Sequence, residues 1–258
     1  MPLRAVSLEE LTIEDEASFA HVALYGRLKR VLLGSDHKFY VPADGSRLPW
    51  DRALFLNLTS WSEADAADVL CTRSIPADVV THVAWHRVVG RRLAATGAAR
   101  PPSAWALLFA ESIASAFDLY LVGRLLSNVP DSDFITSQVP IMSDAAADAG
   151  LSDAGFQALL ASVSADPERA FESVRALLFG ATTALLPCRN GGEAQAVLEG
   201  LAGHPFAPLL HHYQLSNWIL YARAYADREP DEAIRELDAT LRAAPVALDW
   251  LAEHWLDG

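Results

Sequence analysis

The nine residues Asp78-Val-Val-Thr-His-Val-Ala-Trp-His86 place two histidines four positions apart. On a helix turning about 100° per residue, side chains at that spacing lie one above the other and can turn both imidazoles toward a single ion. Val79, Val89 and Leu93 share the histidine face, while Arg87 and Arg91 fall on the opposite side, so the histidines are expected to point inward. Asp78 lies one turn before His82 and is a candidate to hold a ligand imidazole by its second nitrogen. Two imidazoles alone make a weak mononuclear site. A third ligand is sought among acids that sit where acids are costly.

Glu111 meets that description. It and Asp118 are the only acids between Pro101 and Gly123, in the otherwise apolar run "LLFAESIASAFDLYL". A buried carboxylate has to be paired or bound to a cation. Ala110, Ala114 and Ser115 beside it are small and would let another helix come close. Asp118, two turns further along, is a candidate outer acceptor or further ligand. The plainer alternatives are two core histidines satisfied by hydrogen bonds, and a Glu111/Asp118 pair that meets Arg124 or an arginine of another helix. A di-metal carboxylate bundle would need more Glu and His at a spacing of three than the chain offers.

The order strand, helix with His-x-x-x-His, connector, helix with Glu resembles the gluzincin zinc metallopeptidases, whose motif is His-Glu-x-x-His with a downstream Glu. The resemblance covers residues 52 to 126 and implies His82, His86 and Glu111 as ligands of Zn(II). It departs at Val83, which stands where the family keeps its general base. Valine cannot accept a proton, so peptidase activity is not expected. Two histidines and one carboxylate are also the ligand set of non-haem Fe(II) oxygenases. The resulting expectation is a metal-dependent enzyme using Fe(II) or Zn(II) on a small apolar or aromatic molecule, with oxidative iron chemistry favoured over a zinc lyase or hydrolase. A catalytically silent helical binding or scaffold protein is the reading from another class.

These residues need a frame. Leu8 to Leu33 is read as helical, opened by Ser7 and stopped by Gly34. Residues 37–42 and 52–61 read as strands around a turn at 43–46, the second by its alternation of Leu54, Leu56 and Leu58 with Phe55, Asn57 and Thr59. Helices are expected over 76–95 and 103–126, separated by "ATGAARPP", the first with Pro76 in its opening turn and the second capped by Ser103. The polar, proline-punctuated stretch 127–140 divides an α+β part (1–128, with the metal site) from an all-helical part (129–258). Helices are expected there over 143–163, 167–186, 192–202, 206–227, 230–243 and 245–256. The fold class is thus mostly α (α+β), a small N-terminal sheet followed by a multi-helix core, and zincin-like in part.

His211 and His212 are candidates for acid/base help, and Trp85 and Trp105 for walls of a largely apolar pocket. His37 reads as peripheral. Cys71 and Cys188 stand far apart without metal-site spacing and read as reduced thiols. A net charge of −13, with 20 Lys+Arg against 33 Asp+Glu, disfavours nucleic acid and anionic membranes as partners. The acidic N-terminal stretch lacks the basic start and apolar run of an export signal, and the wholly apolar runs are short. A soluble, cytoplasmic setting and a small-molecule partner are expected.

Overall fold

A computed structural model describes residues 3–44, 68–95 and 103–256. The architecture is mostly helical with a small N-terminal sheet, as the pattern of the sequence predicts. Strand β1 (Leu3–Val6) pairs antiparallel with β3 (Phe39–Pro42), and β3 pairs parallel with β4 (Asp68–Val69). A second, two-stranded sheet joins β2 (Thr12–Glu14) in parallel to β5 (Ser74–Pro76). The strand expected over 52–61 lies outside the described residues, as do the turn at 43–46 beyond Asp44 and the break at 95–102 from residue 96 to 102.

The continuous helix expected over 8–33 is broken into a 3-10 turn (Leu8–Glu10), β2, a second 3-10 segment (Glu16–His21) and α1 (Tyr25–Leu33). Two local features explain the break. Thr12 and Ile13 are β-branched and gain a ladder with β5, and Asp15 adopts φ 55°, which no α-helix accommodates. Gly34 does terminate α1, its N–H donating to the Arg30 carbonyl at 2.9 Å.

Pro76 ends β5 one residue before α2 (Ala77–Ala95), where its missing N–H costs the helix nothing. Helix α3 (Ala104–Asn128) is capped by Ser103, whose Oγ accepts the Ala106 N–H at 3.1 Å. Its 25 residues have the length and composition of a membrane span, yet 94% of the apolar window is buried inside the protein. It is the central helix, packed most extensively against α6 (Pro167–Leu185) and then against α2.

The stretch 127–140 contains a short turn and the first half of α4 (Asp133–Asp148), with Pro140 inside that helix. The helix expected over 143–163 is two, because Gly150 at φ 86° turns the chain before α5 (Asp153–Ala165). Beyond α6 follow α7 (Gly191–Leu201), α8 (Leu215–Tyr225), α9 (Glu232–Ala243) and α10 (Ala247–Leu251), the last running into a π turn (Ala252–Leu256). Residues 206–214, expected to be helical, form a 3-10 segment flanked by turns instead, and Gln214 at φ 50° sets the late start of α8. The buried apolar residues form one cluster from Val6 to Trp255. Within it Arg175, fully buried, pairs with Glu172 of its own helix and reaches Asp238 of α9, each at 2.8 Å.

Gly123 marks the closest approach of α3 to its neighbours. A Cβ there would stand 2.6 Å from the Val163 carbonyl oxygen and 3.0 Å from Pro167 Cβ. Backbone cannot yield as a flexible side chain can, so Gly123→Ala is expected to cost about 1–3 kcal/mol, the usual toll of overpacking. A urea midpoint that drops at constant slope bears this out, and an unchanged midpoint contradicts it.

Candidate metal centre

β5 fixes the start of α2, and α2 lies along α3. The face of α2 that carries His82 and His86 meets the face of α3 that carries Glu111, Ser115 and Asp118, which recur at the spacing that keeps side chains on one side of a helix. His86 Nε2 is 3.1 Å from Glu111 Oε2, and His82 Nε2 is 3.6 Å from Glu111 Oε1. The two Nε2 atoms face each other at 3.3 Å. One ligand atom from each of the three residues falls within 4.8 Å of the others. On its far side, His82 meets Asp118 Oδ2 through Nδ1 at 3.0 Å, and Ser115 Oγ donates to Glu111 Oε1 at 3.3 Å.

Burial works against both charges, and the cluster overcomes it. For Glu111, desolvation favours the neutral acid, but His86 and His82 outweigh it and hold the carboxyl well below the usual carboxylate range. Desolvation likewise favours neutral His82, yet Asp118 and Glu111 together keep its pKa well above that of a free histidine. Burial, followed by the charge of Asp118, pushes Asp78 up to about 6.

The donor set fits a divalent cation. Two imidazole nitrogens and a carboxylate oxygen converge, and the nitrogens confront each other closely enough that something must lie between them, a proton or a metal ion. Asp118 supplies the outer hydrogen bond that fixes the tautomer of a ligand imidazole. His86 lacks that support, because its Nδ1 is buried with no hydrogen-bond partner among the described residues.

Beside the triad lies a cavity of about 220 Å³. Asp78, Glu111, Ser115, Asp118, Gln138 and His212 give it a polar lining, and Phe134, Tyr213 and Trp218 add aromatic walls. The expected pocket was largely apolar. The difference arises because the acids of α2 and α3 face the cavity while the aliphatic side chains of those helices pack into the core.

Several expectations are redistributed. Asp78 reaches the cavity, but Asp118 rather than Asp78 orients His82. His212 lines the cavity, whereas His211 is exposed and does not. Arg124 engages Glu168 and Tyr120 instead of the acids of the site. Trp85 is fully buried against Phe117, and Trp105 packs on Phe179 under Arg235, so neither forms a wall. His37 is not peripheral: it is buried, with Nε2 2.9 Å from the equally buried Asp68. Phe134, Gln138, Tyr213 and Trp218 are not among the expected site residues, since they reach the cavity from α4, from the turn before α8 and from α8 itself.

Val83 does not look onto the site at all. It is 2% exposed and belongs to the apolar core. No family model matches the chain, and no curated protein or solved structure matches it.

Rebuilding the peptidase motif by Val83→Glu is therefore expected to bury an unpaired carboxylate and destabilise the fold by about 3 kcal/mol or more, without peptidase activity. Chemical denaturation checks the first part and a casein assay the second. Stability near that of the parent would show that residue 83 opens onto the cavity.

A pH dependence follows from His82. It holds its proton more tightly folded than unfolded, so its contribution to stability is whole below the ordinary value of 6.5 and is lost as pH rises through the folded-state value. Glu111 has the opposite sense: its contribution is present above 4.5 and lost as pH falls toward its depressed value. Thermal melts of metal-free protein are expected to decline from pH 6.5 to pH 9, and Asp118→Asn should flatten that decline. Equal slopes in parent and variant would contradict the assignment.

Proposed function

We propose that the chain is a metal-dependent enzyme acting on a small molecule, with one divalent ion held by His82, His86 and Glu111. The observation that carries the proposal is the convergence of their ligand atoms within 4.8 Å, with Asp118 behind His82. Bound there, Fe(II) would supply redox chemistry with O₂ at open coordination positions, and Zn(II) would supply a Lewis acid. Oxidative iron chemistry is the first reading, because Val83, which stands where the peptidases keep their base, is packed in the core. The chain's own residues have distinct tasks. Asp118 holds the His82 tautomer, Glu111 balances charge, and the cavity walls exclude all but small substrates. Net charge and composition argue for a small-molecule partner rather than nucleic acid. Kinship with the gluzincins rests on the ligand order alone.

Asp78 favours a second reading, a zinc-assisted lyase or hydrolase. Its carboxyl lines the cavity with a pKa of about 6, suited to taking up and returning a proton near neutral pH. Elemental analysis of protein reconstituted anaerobically with Fe(II) or Zn(II) is expected to find about one ion per chain, lost in His82→Ala and in Glu111→Ala. The metal retained under competition separates the two readings. An absence of metal in the parent overturns both and leaves a silent binding protein.

A further inference from the structure

The cavity beside the triad is rich in hydrogen-bond acceptors and poor in positive charge. Asp78 and Asp118 both face it, and Lys and Arg are absent from its lining among the described residues. Asp118 spends Oδ2 on His82, while its Oδ1 is buried with no hydrogen-bond partner among the described residues. Three rings complete the enclosure, Phe134, Tyr213 and Trp218, the last two forming a corner with centroids 6.4 Å apart and planes at 63°. Aromatic faces attract cations, most strongly where water is excluded. Burial pushes the pKa of His212 down, which disfavours a competing positive charge there.

An anionic ligand would meet the acids Asp78, Glu111 and Asp118 and, among the described residues, no Lys or Arg here. A neutral apolar ligand would leave the buried Asp118 oxygen without a donor, a loss of the kind that buried polar atoms avoid. An ammonium group satisfies both demands, and an attached ring or short apolar arm fills the space between the aromatic walls. We propose that the cavity selects a small organic cation, an aryl-alkyl amine in its ammonium form, with the nitrogen between Asp78 and Asp118 and the ring against Tyr213 and Trp218. This names a substrate class for the metal centre of the preceding section and rests on that reading, because Glu111 belongs to both the triad and the cavity lining.

Isothermal titration of the zinc-loaded full chain at pH 7.5 with benzylammonium, benzyl alcohol and benzoate tests it, since the three probes share a ring and differ in charge. Benzylammonium is expected to bind about tenfold or more tighter than benzyl alcohol, in the range of a desolvated cation–π contact with an adjacent carboxylate, and benzoate should be weakest. Asp78→Asn is expected to reduce the preference to about twofold or less. Asp78→Glu keeps the charge and should keep the preference, which separates charge from folding. Equal binding of the three, tighter binding of benzoate, absence of benzylammonium binding at millimolar concentration, or a preference that survives Asp78→Asn would each overturn the proposal. Zinc content measured in the same samples keeps the two readings apart. Protein that holds zinc without preferring the ammonium refutes the cation alone. Protein that prefers the ammonium without holding zinc refutes the metal centre and leaves the cation.

Discussion

A single buried charge governs the centre of this protein. Glu111 sits on the most apolar helix of the chain, where taking a carboxylate out of water costs on the order of several kcal/mol. That cost is offset only because α2 presents two imidazoles to it, at 3.1 and 3.6 Å. The arrangement constrains everything around it. α2 must start at a fixed point, which its abutment on β5 provides, and must approach α3 closely, which the small residues Ala110, Ala114 and Ser115 permit. α3 in turn packs against α6, and at Gly123 it comes close to Val163 of α5 and Pro167 of α6.

The charges divide the labour of the site. Glu111 and the facing imidazoles form the group that could hold a metal ion, Asp118 stands behind His82, and Asp78 faces the cavity with no histidine partner among the described residues. A carboxylate in that position is not needed to build the triad. Burial, and after it the proximity of Asp118, raises its pKa. Val83, by contrast, is buried in the apolar core, so residue 83 is a packing position.

Much of this was legible in the sequence. The spacing of His82 and His86 fixed their common face, and the isolation of Glu111 in an apolar run marked it as a residue in need of a partner. The order of most helices and the Ser103 cap could be read as well. What could not be read depends on rotation and on long-range pairing. Whether Asp78 or Asp118 meets His82 is decided by how α2 is turned against α3, and the choice between His211 and His212 by the late start of α8 at Gln214. The helix expected over 8–33 failed because β2 found a partner some sixty residues away in β5, a tertiary contact that overrides local periodicity. The aromatic walls come from elements far along the chain and left no local trace.

The most direct test of the metal centre is anomalous diffraction at the zinc edge from crystals grown with Zn(II). A single strong peak within about 2.0–2.2 Å of His82 Nε2, His86 Nε2 and a Glu111 oxygen, the distances zinc requires, is the expected result. Imidazoles and carboxylate that remain hydrogen-bonded to one another, with no peak between them at saturating zinc, would contradict it.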